Sequence, residues 1–142
     1  MPYISVYIHI VFTTKNRFPF LDTIQIRKEV WKHIFENAKS KNIHIDMING
    51  YCDHCHILLS LKSSQNISKV LKLIKGESSR WINESKLLLE KFEWQNDYYV
   101  ISVSNSHLAR VRNYIKNQEI HHSKSNLEEE IKVINKVVNA SD

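Results

Sequence analysis

The stretch Asn49-Gly50-Tyr51-Cys52-Asp53-His54-Cys55-His56-Ile57-Leu58-Leu59-Ser60 decides the fold. An Asn-Gly pair is a turn signal, and the apolar run behind it has the length of a strand. Ile43 to Asn49 and Asp53 to Leu61 are therefore expected to form an antiparallel hairpin. Side chains alternate along a strand. His54, His56, Leu58 and Ser60 then share one face, and Cys55, Ile57, Leu59 and Leu61 share the other. The two histidines stand side by side, roughly 7 Å apart along the strand, close enough to converge on one metal ion.

Outward from the hairpin, residues 3 to 13 alternate just as clearly. Ile4, Val6, Ile8, Ile10 and Phe12 face one way, which predicts a half-buried strand. Residues 14 to 21 form a loop with Lys15 and Arg17, and Pro19 blocks further pairing there. A helix is expected from Asp22, with Gln25 three residues on as in a capping box, to about Lys41. Ile26, Val30, Ile34 and Ala38 recur at i+4, and Trp31 and Phe35 widen the stripe as core packing. After the hairpin, Ser64 or Asn66 caps a second helix with Ile67, Val70, Leu71, Ile74, Ser78, Trp81 and Ile82 on its apolar side. Residues 85 to 92 read equally as an extension of that helix or as a separate turn. Tyr98 to Val103 is a fourth strand. A third helix, capped by Ser104 or Ser106, runs to about His122, and Ser125 with Glu128 opens a last one.

Strand, helix, strand, strand, helix, strand is the ferredoxin-like order. The expectation is an α+β, RRM-like antiparallel sheet with helices on one face and two further helices at the C-terminal end. One domain covers residues 1–142: a strand and helix core over about 3–103, a helix over about 104–122, and another over about 125–139.

Composition agrees. A chain of 142 residues with 42% hydrophobic and 25% charged residues can build one real core. No apolar run approaches the ~20 residues that span a bilayer. The start Met1-Pro2-Tyr3-Ile4-Ser5 lacks the basic region of a signal peptide, so the cytoplasm is the expected location. Cys52 and Cys55 are too few for a disulfide framework and are expected as reduced thiols. A net charge of +5 favours a polyanionic partner without naming one. With two glycines in the chain there is no phosphate-cradling glycine loop.

Two histidines do not fill a coordination shell. In the third helix Tyr114 and Gln118 are i and i+4, on one helical face, with Leu108, Val111 and Ile115 anchoring the helix to the sheet. Alone, they read as a packed phenol beside a surface amide. Beside a histidine pair, Gln118 can supply an oxygen ligand and Tyr114 a nucleophile. Two imidazoles and an amide oxygen leave positions for water and phosphate oxygens, which suits Mg²⁺ or Mn²⁺ acting on a phosphodiester. Structural zinc on Cys52, His54, Cys55 and His56 is the competing reading, weakened because Cys55 points away from the histidines in a strand. Plain hydrogen bonding of both histidines within the sheet is a third.

These residues resemble the single-tyrosine HUH transposases of small insertion sequences (the IS-two-hundred type) over nearly the whole chain. Ile8-His9-Ile10-Val11-Phe12-Thr13-Thr14-Lys15-Asn16-Arg17 resembles the family's first strand and basic loop. Residues 49–58 resemble its HUH segment, residues 73–81 and Trp94-Gln95 further segments, and residues 114–122 its tyrosine helix. Cys55 departs from the bulky aliphatic residue usual there, although a buried cysteine behaves as a small hydrophobe. The resemblance implies that His54, His56 and Gln118 bind a divalent metal. It implies that Tyr114 attacks single-stranded DNA to give a 5′-phosphotyrosine and a free 3′-OH. It also implies DNA hairpins at element ends as partners, and a homodimer in which active sites can be shared between subunits. Lys15, Arg17, Lys75, Arg80, Arg110 and Arg112 are the candidates for phosphate contacts, with solvated surface charge as the bland reading of each.

The runner-up function is a nucleic-acid-binding module without cleavage. The ferredoxin-like order is shared with RNA-binding sheets, and Tyr3 and Tyr7 can stack bases. A domesticated relative that processes repeats without transposing is a nearer variant.

Overall fold

The computed structural model describes residues 4–121 together with Lys132. The helix expected over about 125–139 lies outside the described residues, Lys132 apart.

Four strands and two long helices follow the expected order: β1 (Val6–Thr13), α1 (Ile24–Ser40), β2 (His44–Tyr51), β3 (His54–Leu61), α2 (Ile67–Glu84) and β4 (Tyr99–Val103). Two short helices come next, α3 (Leu108–Lys116) and α4 (Gln118–His121). The sheet order is β2-β3-β1-β4 with every neighbouring pair antiparallel. This is the ferredoxin-like α+β sheet that the sequence predicts.

One face of the sheet carries Ile8, Ile10 and Phe12 from β1, Ile45 from β2, and Cys55, Ile57 and Leu59 from β3. It packs under Val30, Trp31 and Ile34 of α1 and Val70, Leu71 and Ile74 of α2. The other face carries Val11 and Leu58, covered by Val111, Tyr114 and Ile115 of α3. Each fully buried Ile or Leu contributes about 1.5–3 kcal/mol over exposure, so both layers hold the sheet. β1 is consequently buried on both sides along Ile8–Phe12 rather than half-buried as its alternation suggests.

Several local expectations shift. Thr23, not Asp22, caps α1, its hydroxyl accepting from the Ile26 amide at 3.1 Å. Trp31 is core, but Phe35 is 39% exposed. Asn66 caps α2. Residues 85–92 do not extend that helix. The chain turns at Lys86, whose φ is 55°, and Asn83 clamps the backbone of Phe92 from both sides, at 2.7 and 3.0 Å.

Asn49-Gly50 is not the turn. Both residues lie inside β2, paired with His56 and Cys55, and the chain reverses at Cys52-Asp53. Gly50 is needed for close approach instead. A Cβ there would collide with the His54 carbonyl oxygen and lie 2.9 Å from Cζ2 of Trp31. The register of β2 also slips between Ile45 and Met47. An extra residue in a strand reverses the faces of everything beyond it. Ile45 belongs to the α1/α2 side and Met47 to the α3 side, so Asn49 faces α3 as well.

The third helix is not continuous to His122. It opens with a 3₁₀ turn, Asn105–His107, capped by Ser104, and it stops at Asn117, leaving Gln118 to begin α4.

Candidate active site

His54 and His56 lie on the α3 side of β3, fully buried, with ring centroids 5.1 Å apart. Each ring is held at Nδ1. Nδ1 of His54 is 2.7 Å from Oδ1 of Asp53, and Nδ1 of His56 is 3.0 Å from Nε2 of His9. Fixing one ring nitrogen orients the other, so Nε2 is the remaining donor atom of each histidine. Burial pushes the Asp53 carboxyl up, but its hydrogen bond to His54 and the charges of His54 and Arg17 outweigh this and hold it below the ordinary range.

Tyr114 is brought to the histidine pair, and Gln118 stays bonded to the Tyr114 backbone despite the helix break. Tyr114 is 7% exposed, and its ring meets that of His56 edge-on at 5.9 Å. Gln118 is fully buried; its Nε2 donates to the Tyr114 carbonyl at 3.4 Å, and its Oε1 has no hydrogen-bond partner among the described residues. Leaving a buried carbonyl oxygen unsatisfied costs about 1–3 kcal/mol, and a cation would remove that cost.

Three contacts fix this segment to the core. Asn49 Nδ2 donates to the carbonyls of Ile115 and Lys116 at 3.0 and 3.2 Å, closing the C-terminal end of α3. Arg112 Nε and Nη2 each donate to the Asp46 carboxylate at 2.8 Å. Arg27, buried on α1, donates to both carboxylate oxygens of Glu119 at 2.8 and 2.9 Å and to the Leu21 carbonyl at 2.7 Å. Sequence reading passed over the contact of His9 with His56, Asn49 as a cap, and the Asp46–Arg112 and Arg27–Glu119 pairs. A signal existed for Arg27: it falls within the apolar stripe of α1, where a charge needs a partner.

The basic candidates divide. Lys15 pairs with Glu93 at 2.9 Å and Arg17 with Asp53 at 3.2 Å. Arg112 is committed to Asp46. Arg80 is 66% exposed and only 3.9 Å from Glu77, and Arg110 is exposed on α3. Lys75 donates to the carbonyls of Gln95 and Asn96 at 2.5 and 3.1 Å. Burial lowers its pKa, with Asp97 opposing.

Among the described residues, no three His, Cys, Asp or Glu side chains form a metal-holding cluster. The two imidazoles that share one face of β3 are the donors in place there, and imidazole nitrogens suit a divalent ion whose other ligands are oxygens. Cys55 does not join the histidines. It is fully buried on the opposite face, in the core, where burial pushes its thiol well above the ordinary range. Among the described helices, none is long and apolar enough to cross a membrane.

Comparison with known proteins identifies the family. The family described as IS200-like transposase matches residues 3–118. The transposase of insertion sequence element IS200 from Salmonella typhimurium is 30% identical over 116 residues, covering 78% of this chain and 74% of that protein. The Salmonella typhi transposase matches equally well. Among solved structures, a putative transposase from Deinococcus radiodurans superposes with a TM-score of 0.66 at 22% identity, over 83% of this chain and 95% of that one. A REP-associated tyrosine transposase bound to a REP hairpin gives 0.64 at 18% identity, over 86% and 72%.

Proposed function

The chain belongs to the family of IS200-like transposases, and on that premise we propose that it cleaves and rejoins single-stranded DNA through a 5′-phosphotyrosine on Tyr114. The observation that carries this reading is the meeting of the Tyr114 ring with His56, on the face of β3 that bears both histidines.

In the first transfer, the bond between Tyr114 Oη and phosphorus forms as the bond from phosphorus to the 3′ oxygen breaks, releasing a 3′-OH. A different 3′-OH then attacks the tyrosyl ester and frees the phenol. The ester conserves the phosphodiester bond energy, so no nucleotide cofactor is required. A phenol of pKa ~10 is a weak nucleophile at neutral pH, so the reaction depends on orientation and charge stabilisation. His54, His56 and Gln118 would hold Mg²⁺ or Mn²⁺, which would supply positive charge to offset the charge that develops during phosphoryl transfer. Asp53 and His9 hold the two imidazoles, and Asn49 holds the end of the tyrosine helix.

A homodimer and DNA hairpins at the element ends complete the reading. The REP hairpin held by one structural neighbour supports the hairpin partner.

The test is a covalent adduct. The protein is incubated with Mg²⁺ and single-stranded oligonucleotides from the ends of its own element. A denaturation-resistant protein–DNA species is expected with the wild type and is lost in Tyr114→Phe, which still binds DNA. An adduct that persists in Tyr114→Phe removes Tyr114 as the nucleophile. Binding without any wild-type adduct favours the non-cleaving module. Light scattering reports the dimer independently.

A further inference from the structure

We propose that His9 is a positioning residue that fixes the ring and tautomer of His56, so that His56 presents Nε2 to the metal; the inference rests on the metal-site reading above. His9 sits on β1 opposite Leu58, two residues along from the partner of Val11, which is His56. That diagonal is within side-chain reach on one face of an antiparallel pair. The two rings are tilted by 39° with centroids 5.1 Å apart, so they meet through their nitrogens rather than by stacking.

The neighbours argue against His9 as filler. It is 1% exposed, and Val11 and Leu58 pack beside it on the same face. A leucine or methionine would fill that volume without burying polar nitrogens. What an imidazole adds is the 3.0 Å bond to Nδ1 of His56. With His56 Nδ1–H donating to His9 Nε2, the ring of His56 carries its lone pair on Nε2, the form in which an imidazole binds a cation. The opposite tautomer would place the proton on the ligating nitrogen. The two ligands are therefore backed differently, His54 by the Asp53 carboxylate and His56 by another imidazole. Partners of this kind typically change metal affinity by about 10–100-fold.

The experiment measures Mn²⁺ binding by electron paramagnetic resonance, and the His56 tautomer by nitrogen-15 NMR of the metal-free protein. In the wild type the His56 proton is expected on Nδ1. His9→Leu is expected to weaken Mn²⁺ binding by about tenfold or more and to leave His56 as a tautomer mixture, with His54 unchanged. His9→Gln keeps an acceptor and is expected to bind within about threefold of wild type. A wild-type proton on Nε2 of His56 overturns the inference, as does unaltered Mn²⁺ affinity in folded His9→Leu. If His9→Leu does not fold, the wild-type tautomer and His9→Gln decide. If the wild type binds no Mn²⁺, the metal reading fails, and the tautomer measurement alone judges His9.

Discussion

Arg27 on α1 holds Glu119 on α4 through two hydrogen bonds of 2.8 and 2.9 Å, and Glu119 is the residue next to Gln118. The clamp ties the proposed oxygen ligand to the layer of helices on the far side of the sheet. Breaking a fully buried pair costs roughly 3–5 kcal/mol. Glu119 still reaches solvent, so Arg27→Met is expected to cost about 2 kcal/mol. Urea unfolding of Arg27→Met, Glu119→Gln and the double variant measures the coupling. Fully additive losses would mean the pair contributes nothing. Mn²⁺ affinity is expected to fall in Arg27→Met, because Gln118 loses its anchor.

Asn49 closes the tyrosine helix with its amide N–H groups on the carbonyls of Ile115 and Lys116. Asn49→Asp replaces those donors with a negative charge against the negative end of a helix. A loss of about 2 kcal/mol is expected, with Asn49→Ser milder. Thermal melting at neutral pH checks the order. Equal stability of Asn49→Asp and wild type would show that the cap carries no weight.

Gly50 has no room for a side chain. The atom that a Cβ would strike is the backbone carbonyl oxygen of His54, which cannot rotate aside. Gly50→Ala is expected to destabilise by about 1–3 kcal/mol and to shift the amide resonances of Cys52, Asp53 and His54. A variant as stable as wild type with an unshifted spectrum would contradict the close packing.

Arg80 and Arg112 were equivalent phosphate candidates on sequence, and their surroundings separate them. Arg112 is fixed to Asp46 in a two-bond pair, whereas Arg80 is 66% exposed with a distant partner. Arg112→Ala is expected to lower the melting temperature while changing the salt dependence of DNA binding little. Arg80→Ala is expected to leave the melting temperature unchanged and reduce the slope of log affinity against log salt by about 1. Titrations of single-stranded DNA at several salt concentrations decide, and the reverse pattern would exchange the two roles.

Both thiols are expected to be poor nucleophiles at neutral pH. Burial raises the pKa of Cys52, with the Asp53 charge adding to it, and raises that of Cys55 further. A raised pKa means less thiolate at a given pH, and Cys55 is also inaccessible. An aromatic disulfide reagent should modify Cys52 slowly and Cys55 only in denaturant. Fast modification of Cys55 in the folded protein would show that the core opens readily there.

The sequence by itself determined the order of the strands and helices, the two faces of β3, and the apolar stripes of α1 and α2. Each is written in a repeat of two or about 3.6 residues along a short stretch, and local periodicity needs no knowledge of distant partners. The residues proposed for the chemistry were legible for the same reason: His54 with His56, and Tyr114 with Gln118, are pairs close in sequence. Only the tertiary structure decided how they are held. The bulge that turns Asn49 toward α3 depends on pairing with β3. The role of Gly50 depends on Trp31 and the His54 carbonyl rather than on turn preference. The partners of His9, Asn49 and Arg27 lie 47, 66 and 92 residues away. Such contacts form because burying a polar group without a partner is costly, and which partner meets which is fixed only once the sheet has brought its strands and helices together.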